Sequence, residues 1–148
     1  MTSHAVTIDH DEAEKLLKRA LGDQRQEFGS FFLSRLFGFR ISYEGDSCIV
    51  AFEVLKPFYN PQGTLHGGVL ATAMDIAMGH CLHRAAGSGA TLAMTVEYLA
   101  PVRHGEVRCE ASFLRRGRSI SALQCKAFGP DGEMIAHASA TWKLRSSK

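Results

Sequence analysis

The sequence predicts an α+β fold in which one long antiparallel sheet wraps around one central helix. Three observations predict it. Residues 67–82, GGVLATAMDIAMGHCL, are apolar around nearly the whole helical circumference, and a helix that is hydrophobic on all sides is buried. Strand-like runs with alternating polarity flank it, two before and four after. The chain has 148 residues, 45% apolar and 22% charged, about one domain's worth and enough to bury roughly two-thirds of its unfolded surface. One sheet around one helix is the economical way to cover these apolar faces.

The elements follow in order. Asp9 to Phe28 reads as an added N-terminal surface helix, with Asp9 or Asp11 as N-cap, Glu12 and Glu14 in the first turn, and Lys15, Lys18 and Arg19 later. Phe31, Phe32, Leu33, Leu36 and Phe37 suggest a second short helix that Gly38 ends. A hairpin pairs Phe39–Glu44 with Cys48–Leu55 around Gly45 and Asp46. Pro57 to Leu65 is loop by its Pro, Asn and Gly content. The buried helix ends near Gly87, and four strands follow, expected as a meander: Thr91 to Leu99, then runs around Val107–Phe113, Ser121–Ala127 and Met134–Leu144. No repeat or linker divides the chain, so residues 1–148 are expected to form a single domain.

Composition excludes several classes of function. With 17 Lys+Arg against 15 Asp+Glu the net charge is +2, and no aromatic stacking platform accompanies it, which disfavours nucleic acid. Cys48, Cys81, Cys109 and Cys125 show no C-x-x-C pairing and read as small buried hydrophobes rather than a disulfide frame or zinc knuckle. Met1 to Asp11 is polar, without a basic-then-apolar run, and no stretch is apolar over the roughly 18 residues that a span needs. The expected location is cytoplasmic, with no membrane partner.

Between Lys56 and Arg84 the only Asp, Glu, Lys or Arg is Asp75, at the centre of the most apolar helix. An ionised carboxylate there is costly unless paired, hydrogen-bonded or partly wet. It is an N-cap of a restarted helix, an Asp bonded to a polar loop, or a general base or nucleophile facing a pocket. His66, Gly67 and Gly68 open the same helix, where free N–H groups can donate to a developing oxyanion. The glycines equally suit a tight turn against the sheet, and His66 orients the loop or transfers protons. Asn60 either adds a side-chain amide to the same carbonyl or serves as a turn residue before Pro61. Asp75 lies eight residues beyond Gly67, roughly 12 Å along a straight helix. One chain cannot easily bring both onto one carbonyl, so if both are catalytic the geometry favours an obligate homodimer of antiparallel central helices with two shared sites.

Arg115, Arg116, Gly117, Arg118 and Ser119 form a basic hairpin turn, with Arg103, His104 and Arg108 near in sequence. This is either a phosphate-facing substrate site or a solvated tip. His80-x-x-His83 raises a metal reading, weakened because Asp75 and His80 share no helical face well. No metal site and no cofactor are expected. Phe31, Phe37, Phe58, Tyr59, Met74 and Met78 are candidates for an acyl pocket.

Asn60-Pro-Gln-Gly-Thr-Leu-His66-Gly67-Gly68 followed by Asp75, with TLAMTVEYLAP from Thr91 and the RRGRS hairpin, resembles the hotdog-fold thioesterases of the PaaI / 4-hydroxybenzoyl-CoA thioesterase type. The likeness runs from about Phe31 to Leu144. It implies a hotdog sheet around the central helix, homodimers that share active sites and often pair into tetramers, and hydrolysis of acyl-CoA thioesters without metal. Carried over by position, the Gly67 amide polarises the thioester carbonyl with Asn60 assisting. Asp75 of the partner chain activates water or attacks as a nucleophile through a mixed anhydride. Thr91 falls where relatives place a water-holding hydroxyl, and the arginine hairpin would meet the phosphates of CoA. The alternatives on this fold are a non-catalytic acyl-CoA sensor, which needs no carboxylate in the helix, and a hydratase or dehydratase, which relies on a catalytic histidine.

Overall fold

The computed structural model describes residues 6–146. The first five residues, part of the polar stretch considered above, and the last two lie outside the described residues. The first helix, α1, runs from His10 to Leu21 and is capped by Asp9, whose Oδ1 accepts from the Asp11 and Glu12 amides at 2.9 and 3.3 Å. It is shorter than the sequence pattern suggests. Gly22 ends it, and residues up to Phe31 form a turn-rich segment held by side chains rather than helix. Helix α2 (Phe32–Phe37) stops at Gly38, whose φ of 68° is the left-handed conformation that favours glycine. Strands β1 (Arg40–Glu44) and β2 (Ser47–Glu53) make the hairpin.

Helix α3 (Gly67–Ala86) is the centre of the molecule. Strands β3 (Gly89–Tyr98), β4 (Glu106–Arg115), β5 (Ile120–Phe128) and β6 (Met134–Leu144) follow. The sheet order is β1-β2-β4-β5-β6-β3, antiparallel throughout. The last four strands are therefore not a simple meander. β3 pairs with β6, and β4 returns to the other side of the sheet beside β2, so β3 forms an edge. The physical reason lies in the connection after β3. Leu99 and Ala100 donate to Ile135 O, and Val102 O accepts from Leu65 N at 2.7 Å, which ties the crossover to the loop that leads into α3.

The inner face of the sheet explains how a helix comes so close to it. In the middle of the sheet the cross-strand partners are small: Ala111 faces Cys48 and Cys125, Cys125 faces Ala138, and Ala127 faces Ala136. All are fully buried. Against them α3 sets Leu70, Met74, Met78 and Leu82, also buried. Bulk on the helix and small residues on the sheet interdigitate. The four cysteines are free and buried, and burial holds the Cys48 thiol up at about 12. Among the described residues no helix is long and apolar enough to cross a membrane.

The β4–β5 turn depends on one glycine. A Cβ on Gly117 would lie 1.8 Å from the Ile120 carbonyl oxygen, and the Gly117 amide donates to Ser121 Oγ at 3.1 Å. Gly117→Ala must therefore rebuild the turn. The expected loss is about 1–3 kcal/mol of stability, read as a lower urea midpoint. An unchanged midpoint would show that this turn is not sterically fixed.

Candidate active site

The residues 58–66 close on themselves before α3 begins. Tyr59 and Leu65 bridge, His66 N donates to Phe58 O at 2.8 Å, and Asn60 organises the interior. Asn60 Oδ1 accepts from the Gln62 and Thr64 amides, and its Nδ2 donates to Thr64 Oγ1 at 2.9 Å. Asn60 thus builds the loop, and it also lines the cleft beside Gly67. His66 is the N-cap of α3, with its Nδ1 accepting the Gly68 amide at 2.9 Å.

This cap decides which amide is left. Of the first four N–H groups of α3, Gly68 bonds the His66 ring, while Val69 and Leu70 bond His66 O at 3.0 and 3.2 Å. Only the Gly67 N–H has no partner among the described residues. Gly67 opens onto a cleft of about 290 Å³ lined also by Asn60, Leu70, Tyr98 and Pro101. Tyr98, unremarked in the sequence, seals one side. Its hydroxyl donates to Gly67 O at 2.7 Å, and a Cβ on Gly67 would sit 3.0 Å from its ring. Glycine is needed here for close approach.

Asp75 lies two turns further along α3 and faces a second cleft of about 350 Å³ with Phe28, Phe31, Ile76 and Trp142. Thr91 Oγ1 donates to Asp75 Oδ1 at 2.8 Å, across from β3 to α3. Burial raises the carboxyl pKa, and the Thr91 hydrogen bond partly opposes that rise. Asp75 thus sits in mid-helix rather than at a restarted N-terminus, hydrogen-bonded to Thr91 and facing a cleft. The two clefts share no lining residue. Within one chain the free amide and the carboxylate serve different cavities.

The basic hairpin is less free than its composition suggests. Arg116 Nη2 donates to Ala85 O at 2.8 Å, so it caps the C-terminal end of α3 and lies 5.3 Å from the Phe113 ring centre. Ser119 Oγ accepts from Lys143 Nζ at 2.6 Å, and Gly117 shapes the turn. Arg115 and Arg118 are exposed. Arg108 is paired with Glu44 and Glu110. His80 is buried, and both its ring nitrogens are engaged: Nε2 accepts from Gly29 N at 2.9 Å, and Nδ1 faces Ile76 O at 3.0 Å. Of the residues suggested for an acyl pocket, Phe31 lines the Asp75 cleft. Met74, Met78 and Phe58 are buried core, and Phe37 and Tyr59 pack against it.

Comparisons with known proteins agree with this architecture. The thioesterase superfamily model matches residues 62–136, which include Gly67, Asp75 and Thr91. A Salmonella typhimurium protein named as a medium/long-chain acyl-CoA thioesterase is 29% identical over 99 residues, covering 56% of this chain and 64% of that protein. A Bacillus halodurans protein solved with CoA superposes with a TM-score of 0.83 at 23% identity, covering 96% of this chain and 98% of that one. The Escherichia coli PaaI protein superposes at 0.76 with 15% identity, covering 92% and 97%. With the family model matched over half its length and the sheet folded around α3 as in these structures, the chain belongs to the thioesterase superfamily and has the hotdog fold.

Proposed function

We propose that this chain hydrolyses acyl-CoA thioesters, giving a carboxylic acid and free CoA, in a site shared between two copies. The observation that carries the reading is the single unpartnered amide of the α3 first turn, Gly67 N–H, at the end of a helix whose dipole favours negative charge. Such a donor suits the oxyanion of an acyl-transfer intermediate and is worth about 3 kcal/mol in that role. The relative named as an acyl-CoA thioesterase and the structural neighbour solved with CoA support the substrate class.

In this mechanism the thioester carbonyl oxygen points at Gly67 N–H. Asp75 takes a proton from water as that water adds to the carbonyl carbon. The tetrahedral intermediate then collapses, the C–S bond breaks, and the proton held by Asp75 passes to the departing CoA thiolate. The raised basicity of the half-buried carboxylate suits a general base and equally a nucleophile that forms a mixed anhydride. Thr91 fixes Oδ1 and leaves Oδ2 for the water. The thioester is already activated, so a carboxylate with an oxyanion donor suffices without a Ser–His pair.

Two features support a shared site. Gly67 and Asp75 open onto separate clefts in one chain. The β3 edge carries exposed Leu92 and Tyr98 on a ten-residue strand whose one charged residue is Glu97, with exposed Leu99 just beyond it, an edge that invites pairing with another strand. A second copy meeting β3 would bring its α3 antiparallel to the first.

Asp75→Asn is expected to lower kcat about a thousandfold or more while leaving acyl-CoA binding within a few-fold, checked by thiol release and by calorimetry. A rate near that of the wild type would remove Asp75 from the chemistry. Because the carboxylate must be ionised to accept a proton, kcat/KM should fall as pH drops through its raised pKa. Thr91→Val removes a donor to the charged form, so the acidic limb should move to still higher pH. A limb in the ordinary Asp range for both proteins would contradict the assignment. Co-expressing Asp75→Asn chains with Gly67→Ala chains tests sharing directly. Each mutant alone is expected to be inactive, whereas the mixed dimer holds one intact site and regains activity. No recovery would mean that each chain carries its own complete site.

A further inference from the structure

The segment between α1 and α2 is irregular and yet tightly held. Glu27 and Ser30 exchange backbone hydrogen bonds at 3.1 and 3.0 Å, and Gly29, with φ of 86°, makes the turn between them. Arg35 reaches back from α2 to Arg25 O, Asp23 O and Ser30 Oγ at 2.9 to 3.2 Å. Gly29 N–H donates to His80 Nε2 on α3. Phe28 lies flat on His83, ring centres 3.5 Å apart and 3° from parallel, and meets His80 edge-on at 5.0 Å. Two imidazoles on α3 therefore fix a phenylalanine that remains 50% exposed.

That phenylalanine lines the Asp75 cleft together with Phe31, Ile76, Gly79 and Trp142. Gly79 and Trp142 close the cleft inward, since a Cβ on Gly79 would meet the indole at 2.9 Å. Phe28 is the most exposed of the three aromatic walls, Trp142 being buried at 5%. A carbonyl carbon within reach of Asp75 must send its acyl substituent somewhere, and the apolar space next to the carboxylate is this cleft. At about 350 Å³ it is at the small end of ligand pockets. We infer that the Gln26–Phe31 segment, latched to α3 by His80 and His83, is the acyl-selecting wall of the site, and that Phe28 sets the upper size of the apolar acyl group accepted. This rests on the thioesterase reading above and specifies its substrate: acyl-CoAs with compact, uncharged, apolar acyl parts.

The test is a kcat/KM profile over straight-chain acyl-CoAs from butyryl to palmitoyl, with phenylacetyl-CoA, for the wild type, Phe28→Ala and Phe28→Trp. Phe28 is half-exposed, so both variants are expected to fold, and circular dichroism checks this. The wild type should prefer intermediate lengths. Phe28→Ala should move the optimum to longer chains and raise the palmitoyl-to-octanoyl ratio about tenfold, and Phe28→Trp should move it the other way. A profile of unchanged shape in both variants, whether or not the rates fall uniformly, would overturn the inference and leave the hydrolase reading intact. Absence of hydrolysis by the wild type on the whole panel would instead overturn the hydrolase reading, and the inference with it.

Discussion

The close seat of α3 in a sheet lined with alanine and cysteine is the constraint on which the rest of the structure depends. A twenty-residue helix enclosed this deeply must have its polar ends resolved by side chains and its one carboxylate resolved by a hydroxyl. His66 resolves the N-terminal end except at Gly67, and Arg116 helps resolve the C-terminal end through Ala85 O. Thr91 meets Asp75. Among the described residues the Gly67 amide and Asp75 Oδ2 stay without a partner, as do the buried His83 Nδ1 and Trp142 Nε1. Burial also keeps Asp75 harder to ionise than a free aspartate. A carboxyl whose folded pKa is raised stabilises the fold when protonated, and that contribution is lost as pH rises through the folded value. Ionised at neutral pH, Asp75 is therefore a cost to folding that the Thr91 hydroxyl partly offsets.

Much of this was legible in the sequence, because it rests on local patterns. The unbroken apolar run of α3 announced its burial, and the alternation of Cys48, Val50 and Phe52 or of Leu123, Cys125 and Ala127 announced the inner sheet face. Asp75 stood out by composition alone. The unread parts are those in which distant residues decide. Nothing local distinguishes β3 as an edge strand from β3 as the first strand of a meander; the choice is made by hydrogen bonds to Ile135 and from Leu65, far off in sequence. Likewise the sequence reading carries the first helix on to Phe28, but Gly22 ends α1, and Arg35 and His80 hold the following residues. Tyr98 carried no signal beyond an aromatic residue at a strand end.

In the basic hairpin and the histidine pair the fold adds partners that residue type does not announce. Arg116 gives one donor to the C-terminal end of α3, and Arg108 joins two carboxylates. The His80-x-x-His83 spacing raises a metal reading that the sequence itself weakens, and in the fold the two rings hold a loop by hydrogen bonding and stacking. In each case a group with strong donor or acceptor capacity was placed where a backbone or neighbouring side chain required it. Arg115, Arg116 and Arg118 are all exposed at the turn, and guanidiniums there keep the capacity to meet a polyanionic ligand.

The separation of Gly67 from Asp75 then acquires a definite meaning. Helix geometry fixes the rise per residue, so no packing adjustment within one chain can bring the two onto one carbonyl without bending α3. α3 is continuous from Gly67 to Ala86, and a bend would have to break the contacts that bury Met74 and Met78. In the proposed mechanism that straightness divides the chemistry into two halves, and a neighbouring copy supplies the complement. The β3 edge carries both Thr91 behind Asp75 and Tyr98 behind Gly67, so a copy that paired there would assemble and align the proposed site in a single event.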